Sequence, residues 1–504
     1  MADLQLQAAK VSSLARALEG SVDLKHDVPA VPKSNPMKGF ETLVIASSKD
    51  VSPSVVETHN ITLPKMGQIV SVFVEYEYTG ASTNAGKTDS THHLYAAREG
   101  PAFAQTEMVR LLSNSRELAR MTSQDILIKI KGMPAETRDA LLRMAGEHLH
   151  QDKYMKPVKG TDPLLIKFNE ANKRTIRVLC PLPFACAFPG SGAAGQIDAS
   201  FLEELQIEVK TRPISEAWAV LGAGSTIPTK CSVKLVVNYS QMDDKQRQKM
   251  IASAYKPGKP LQILSTSYEL IGTSDPFTKP ANITAQAHEN DGDSYKPHTF
   301  NFRSSSSCMA RSISYYVVAD EGQTINGFKN GLGTAAGEVA RPVGCLVGQL
   351  FKLRRGNKFQ PIRRVEFRSG GRVVFDMTPE RALAASLDRR YGADNKGAVD
   401  DTLGSHLTYR FAKDDDTSRF SGALAMAGLS SQEHTVEADI RRLEGAITGS
   451  SLQANGTVGS AQGADNATTL FDSTMIYRAY AVAEKVVVYS ISPSDGSIKV
   501  SLST

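Results

Sequence analysis

The sequence predicts a mainly β fold, two jelly-roll β-barrels in tandem, with a helical insertion in the first barrel and an N-terminal helical arm. Three observations carry this. First, Val70, Val72, Val74, Tyr76 and Tyr78 are apolar or aromatic with mostly polar residues between them, the period of a half-buried strand. Second, about eight such segments occur in each half with long connections, which suits a jelly roll, one way antiparallel sheets protect their edges. Third, the order of the segments repeats between the halves although residue identity does not.

Residues 1–20 predict an amphipathic helix. Leu4, Ala8, Val11, Ala15 and Leu18 recur at steps of four and three, one helical stripe that ends at Gly20. Pro29, Pro32 and Pro36 then keep the chain extended. A helix this short is marginal alone, so the arm of residues 1–38 must dock. With Lys10 and Arg16 off the stripe, it suits a bilayer surface, a groove on a protein or its own barrel.

The first barrel is expected over 39–242, with strands at 40–46, 55–63, 69–78, 175–188, 205–211 and 231–239. Between them, 103–150 breaks the β pattern. Met108, Leu111, Leu112, Leu118 and Met121 suggest one helix; Pro134 ahead of Leu141, Met144, Ala145 and Leu149 suggests another. A linker is expected over 243–260, where a polar helical stretch ends in Lys256, Pro257, Gly258, Lys259 and Pro260.

The second barrel is expected over 261–504, with strands at 261–270, 298–303, 312–319, 362–367, 372–376, 407–412, 433–440 and 476–491. Gly370 and Gly371 supply a tight turn between two of them. Thr378 then caps a short helix opened by Pro379. Residues 322–348 and 445–469 read as loops rich in small residues. The repeat pairs 40–46 with 261–270, 70–78 with 312–318, and 233–239 with 482–489. It also pairs 184–188 and 201–209 with 420–424 and 429–440.

Composition excludes several function classes. The 504 residues are 41% hydrophobic and 22% charged, an ordinary globular profile. A net charge of +5 over this length gives no concentrated basic face for nucleic acid. No run approaches the ~18 apolar residues of a membrane span. Asp3 and Gln5 stand where a signal peptide would be basic and then apolar, so secretion is not expected. Cys180, Cys186, Cys231, Cys308 and Cys345 are scattered, which favours buried thiols over a disulfide framework or zinc site.

Motifs that resemble chemistry fail on spacing. Gly80 and Gly86-Lys87-Thr88 enclose five residues, Ala81 to Ala85, where a phosphate-binding loop needs four. Gly190, Gly192 and Gly195 match a dinucleotide fingerprint, but Pro181, Pro183 and Pro189 rule out the central strand it must follow. His92 with His93, and His148 with His150, lack the helical spacing that aims two imidazoles at one metal. Asp414, Asp415 and Asp416 lack the spaced ligands of a calcium loop. Trp218, the single tryptophan, reads as a core or interface filler. No catalytic, cofactor-binding or metal residue is expected, and no cofactor.

Three segments carry a family resemblance: Ile362 to Asp376, a strand, Gly-Gly turn and strand before a helix; Phe420 to Leu424 before a polar loop; and Tyr489 to Ile498. With the duplication they cover most of 39–504. The chain resembles the double jelly-roll major capsid proteins of tailless membrane-containing bacteriophages, adenovirus and large eukaryotic DNA viruses. The helical insertion departs from the compact members. The resemblance implies a non-enzymatic virion protein, assembled in the host cytoplasm. Its homotrimers, pseudo-hexagonal in outline, would tile an icosahedral shell. It also implies contacts with neighbouring capsomers, with penton or minor capsid proteins, and with an internal membrane through the arm. A virion spike or adhesin-type binding protein is the alternative reading; a nucleotide-dependent enzyme is a third.

Overall fold

The computed structural model describes residues 37–80, 93–96, 100–131, 133, 135–146, 175–183, 199, 202–221, 228–242, 261–278, 298–319, 362–378, 381, 406–411, 422–426, 431–438, 476–492 and 496–500. The expected arm (Leu4, Ala8, Val11, Ala15, Leu18), the linker and both small-residue loops lie outside them.

In chain order the first half supplies β1 (Met37–Val51), β2 (Glu57–Thr62), β3 (Gln68–Thr79), β4 (His93–Ala96), β5 (Thr106–Ser113), β6 (Arg116–Thr122), β7 (Ile176–Pro181), β8 (Leu205–Thr211), β9 (Trp218–Leu221) and β10 (Lys230–Met242). The second supplies β11 (Leu261–Thr273), β12 (Phe277–Thr278), β13 (His298–Ser304), β14 (Met309–Ala319), β15 (Ile362–Ser369), β16 (Arg372–Met377), β17 (His406–Arg410), β18 (Leu424–Ala425), β19 (Gln432–Ala438), β20 (Ile476–Ile491) and β21 (Ile498–Val500).

The strands pair antiparallel into sheets of order β1-β10-β3-β7 and β2-β8-β5-β6, then β11-β20-β14-β17 and β13-β19-β15-β16. The short pair β4-β9 stands apart, and β12, β18 and β21 join the third sheet from the side. If the eight principal strands of each half are counted from one, both halves read 1-8-3-6 and 2-7-4-5. This is jelly-roll connectivity, present twice. The duplication expected from the segment order is therefore real: β1 matches β11, β3 matches β14, β8 matches β19, and β10 matches β20.

Alternation sets which face is buried. Val72, Val74, Tyr76 and Tyr78 point into the first core, while Glu75 and Glu77 face out. Tyr76 and Thr106, both buried, share a hydrogen bond of 2.8 Å, and the buried Tyr78 hydroxyl donates to Gln105 Oε1 at 3.1 Å. Trp218 is buried edge-on against Tyr78, as expected of a filler. In the second core His434 lies between the rings of Phe302 and Phe367. Its Nδ1 meets the Tyr315 hydroxyl and its Nε2 the Ser304 hydroxyl, each at 2.8 Å. Burial pulls this imidazole down to about 4, so it is neutral at neutral pH. Cys180, Cys231 and Cys308 are free and buried; Cys186 and Cys345 lie outside the described residues.

The expected helix through Met108 and Met121 is a correction. Residues 106–122 form the β5–β6 hairpin, and helices occupy Ser123–Lys131 and Ala135–Met144. Leu111 and Leu112 side by side suggested a helical face. In fact Val109, Leu111 and Ser113 point inward at period two, and Arg110 pairs with Glu208 on β8. The hairpin turns on Asn114 and Ser115, both at positive φ (47° and 66°). Gly370 and Gly371, at 56° and 77°, make the corresponding turn between β15 and β16. Two adjacent left-handed residues give the primed turn that suits strand twist. Ser115 holds this conformation against its Cβ, so Ser115→Gly should raise the stability by about 0.5–1 kcal/mol, read from thermal unfolding.

Candidate functional site: the junction between the barrels and its exposed counterpart

The first barrel meets the second along β6 and the helix after it. Thr122 and Asp125 cap that helix reciprocally. The Thr122 N–H and hydroxyl donate to Asp125 Oδ2 at 2.7 and 2.8 Å, and the Asp125 N–H donates to the Thr122 hydroxyl at 3.3 Å. Burial pushes the Asp125 carboxyl up to about 6, against the pull of those bonds. Gln124, Asp125, Ile126, Leu127, Ile128 and Ile130 are all buried. A helix covered on every side has protein on every side.

Lys129 extends from this helix to Glu484 on β20, Nζ to Oε1 2.7 Å. Glu484 also accepts from the Ser312 hydroxyl at 3.2 Å. Burial alone would raise its carboxyl; the Lys129 ammonium and the Arg311 and Arg410 guanidiniums outweigh burial and hold it well below the usual range. Around this charge cluster, β6 packs on β11 and β21. The Tyr489 hydroxyl donates to the Leu118 carbonyl at 3.2 Å, and the Glu203 N–H to the Gly496 carbonyl at 3.2 Å.

Leu118 sits at a β-bulge. Leu111 pairs with Ala119 and Leu112 with Glu117, so Leu118 is the extra residue. It is 6% exposed, in the strand that packs on β11 and β21 of the second barrel. The second barrel repeats the device. Phe367 pairs with Phe375 and Arg368 with Val373, which leaves Val374 extra, third in its strand as Leu118 is in β6. A threonine stands at the same place in each: Thr122 ends β6, and Thr378, just past β16, accepts the Arg381 N–H on its hydroxyl at 3.4 Å. Here, however, Arg372, Val373 and Val374 are exposed, the valines at 51% and 36%.

The sheet expected to mirror the β11 surface is that of β1. Val44 is 53% exposed there, paired with Val236, which in turn pairs with Phe73. Val55 and Val56, just beyond β1, are also exposed.

The motifs singled out for chemistry fall elsewhere. Gly80 closes β3 at φ 80°, and a Cβ there would lie 2.1 Å from the Thr229 hydroxyl oxygen. Close chain approach accounts for this glycine. The rest of its motif, Gly190 to Gly195, His148, His150 and Asp414 to Asp416 lie outside the described residues; His93 opens β4. Among the described residues, no three His, Cys, Asp or Glu side chains gather where they could hold a metal, and no helix is long and apolar enough to cross a membrane. Lys129 and Glu484 were missed from sequence. Their signal is a charge inside an apolar run: Lys129 alone in 126–130, and Glu484 with Lys485 in 479–489.

No family model and no curated protein matches the sequence. Solved structures do. PBCV-1 VP54, as fitted into a cryo-EM reconstruction of the virophage Sputnik, superposes with TM-score 0.53 at 14% identity, over 92% of this chain and 97% of that one. The Faustovirus major capsid protein gives 0.53 at 10% identity, over 98% and 100%. A quasi-atomic model of the PBCV-1 virus capsid gives 0.51 at 13% identity, over 92% and 97%. The chain is a double jelly roll. The likeness spans nearly the full length on both sides, so it covers both barrels of the double jelly roll and their junction. At these identities it is a likeness of fold.

Proposed function

We propose that this double jelly roll is a major capsid protein whose homotrimers, pseudo-hexameric in outline, tile an icosahedral virion shell. The observation that carries the reading is the repeated barrel. Two barrels of one topology are joined side by side by a built junction, and the second barrel carries the same joining edge uncovered. A chain made this way can continue the pattern with further copies, and a head-to-tail contact that closes makes a ring. Three chains would supply six barrels.

In this reading the barrels are the units 39–242 and 261–504, with 243–260 as linker. The work is mechanical, and no catalysis, cofactor or metal is assigned. Partners are other copies of the chain, with penton or minor capsid proteins at special positions of the shell. The arm, through Leu4, Ala8, Val11, Ala15 and Leu18, would hold a neighbouring capsomer or an internal membrane. The test is the mass of the purified full chain by light scattering. Three times 54.4 kDa is expected; a single chain at every concentration would overturn the proposal.

A further inference from the structure

We propose that the bulged edge of β16, at Arg372, Val373 and Val374, docks on the β1 side of the first barrel of a second copy, at Val44 and Val55–Val56. This rests on the self-assembling reading above and names the surface that would carry it.

The case is an equivalence within one chain. β6 and β16 hold the same place in their sheets, each the outer strand beside its hairpin partner. Each follows a two-residue turn at positive φ and bulges at its third residue, and a threonine stands at the same place in each, Thr122 at the end of β6 and Thr378 just past β16. For β6 the bulge residue Leu118 is buried, its strand packs on β11 and β21 of the next barrel, and its carbonyl accepts from Tyr489. For β16 the equivalent valines, Val373 and Val374, are exposed. An exposed sheet edge carrying two adjacent valines invites pairing or cover. The barrel that β6 meets presents its first strand, β11. The corresponding strand of the first barrel is β1, where Val44 faces out.

The β16 edge carries exposed Arg372, and Arg381 in an ion pair with Asp376; the β1 side carries exposed Glu41 and Asp50, with exposed Lys49 beside Asp50. The two surfaces differ, so the contact is head-to-tail. The second copy would receive this edge and offer its own β16 to a third.

Two aspartate substitutions test it in the full-length chain. Both positions are exposed, so Val374→Asp and Val44→Asp should keep the wild-type circular dichroism spectrum, which shows that each chain still folds. Each variant alone should lose the trimer and run as one chain. An equimolar mixture should recover a two-chain species, because one intact β16 edge then meets one intact β1 face. If both variants keep the wild-type mass, or the mixture stays single-chain, the surface assignment is wrong. A wild-type chain that never associates would instead remove the self-assembling reading on which it rests.

Discussion

Glu484→Ala should destabilise the protein by about 3–5 kcal/mol, the cost of removing one partner from a buried ion pair. The variant leaves the Lys129 ammonium in the junction with Arg311 and Arg410 nearby and their counter-charge gone. Lys129→Met should cost less, about 1–3 kcal/mol, since Glu484 keeps the guanidiniums and the Ser312 hydroxyl. Denaturant unfolding of both variants measures the difference. Equal losses would mean that the arginines do not share the Glu484 charge. The pH dependence has a definite sign. A carboxyl whose folded pKa is depressed contributes fully above its unfolded value, near about 4.3, and loses that contribution as pH falls below it.

Acidification from pH 6.5 to pH 4 should remove roughly 3 kcal/mol of stability through His434 alone. Above pH 6.5 the imidazole is neutral in both folded and unfolded chains. Between 6.5 and about 4 the unfolded chain takes up a proton that the folded one refuses, because the ring is buried between Phe302 and Phe367. Below about 4 both states carry it. Stability therefore falls across that window and not above it. His434→Gln keeps a polar group near Tyr315 and Ser304 but has no proton to take up. Its unfolding free energy, measured at several pH values, should fall by roughly 3 kcal/mol less than wild type between pH 6.5 and 4. A wild-type profile that matches the variant would place the charge response elsewhere.

Much of the architecture was legible in the residues because strands that cover one core must alternate. Val70 to Tyr78 showed this directly, and the segment order disclosed the repeat. The β5–β6 hairpin was not legible for an equally physical reason. Its bulge inserts Leu118 into β6 and breaks the period-two pattern there, so apolar residues fall at spacings a helix would also produce. Asn114 and Ser115 held the missed clue, as the second-half turn declared itself with Gly370 and Gly371 while the first-half turn used residues that tolerate positive φ less well. The junction was harder still. Lys129 and Glu484 are 355 positions apart, and neither apolar run names the other as its partner. Only the packing of one barrel on the other joins them. Val374 could not be recognised as an edge residue until its equivalence with Leu118 was visible.

Imaging the purified full-length chain by electron microscopy tests the central claim most directly. Six lobes of similar size about a threefold axis, three chains each contributing two, are the predicted result. A monomeric particle, or a pair related by a twofold axis with the β16 edge left bare, would contradict it.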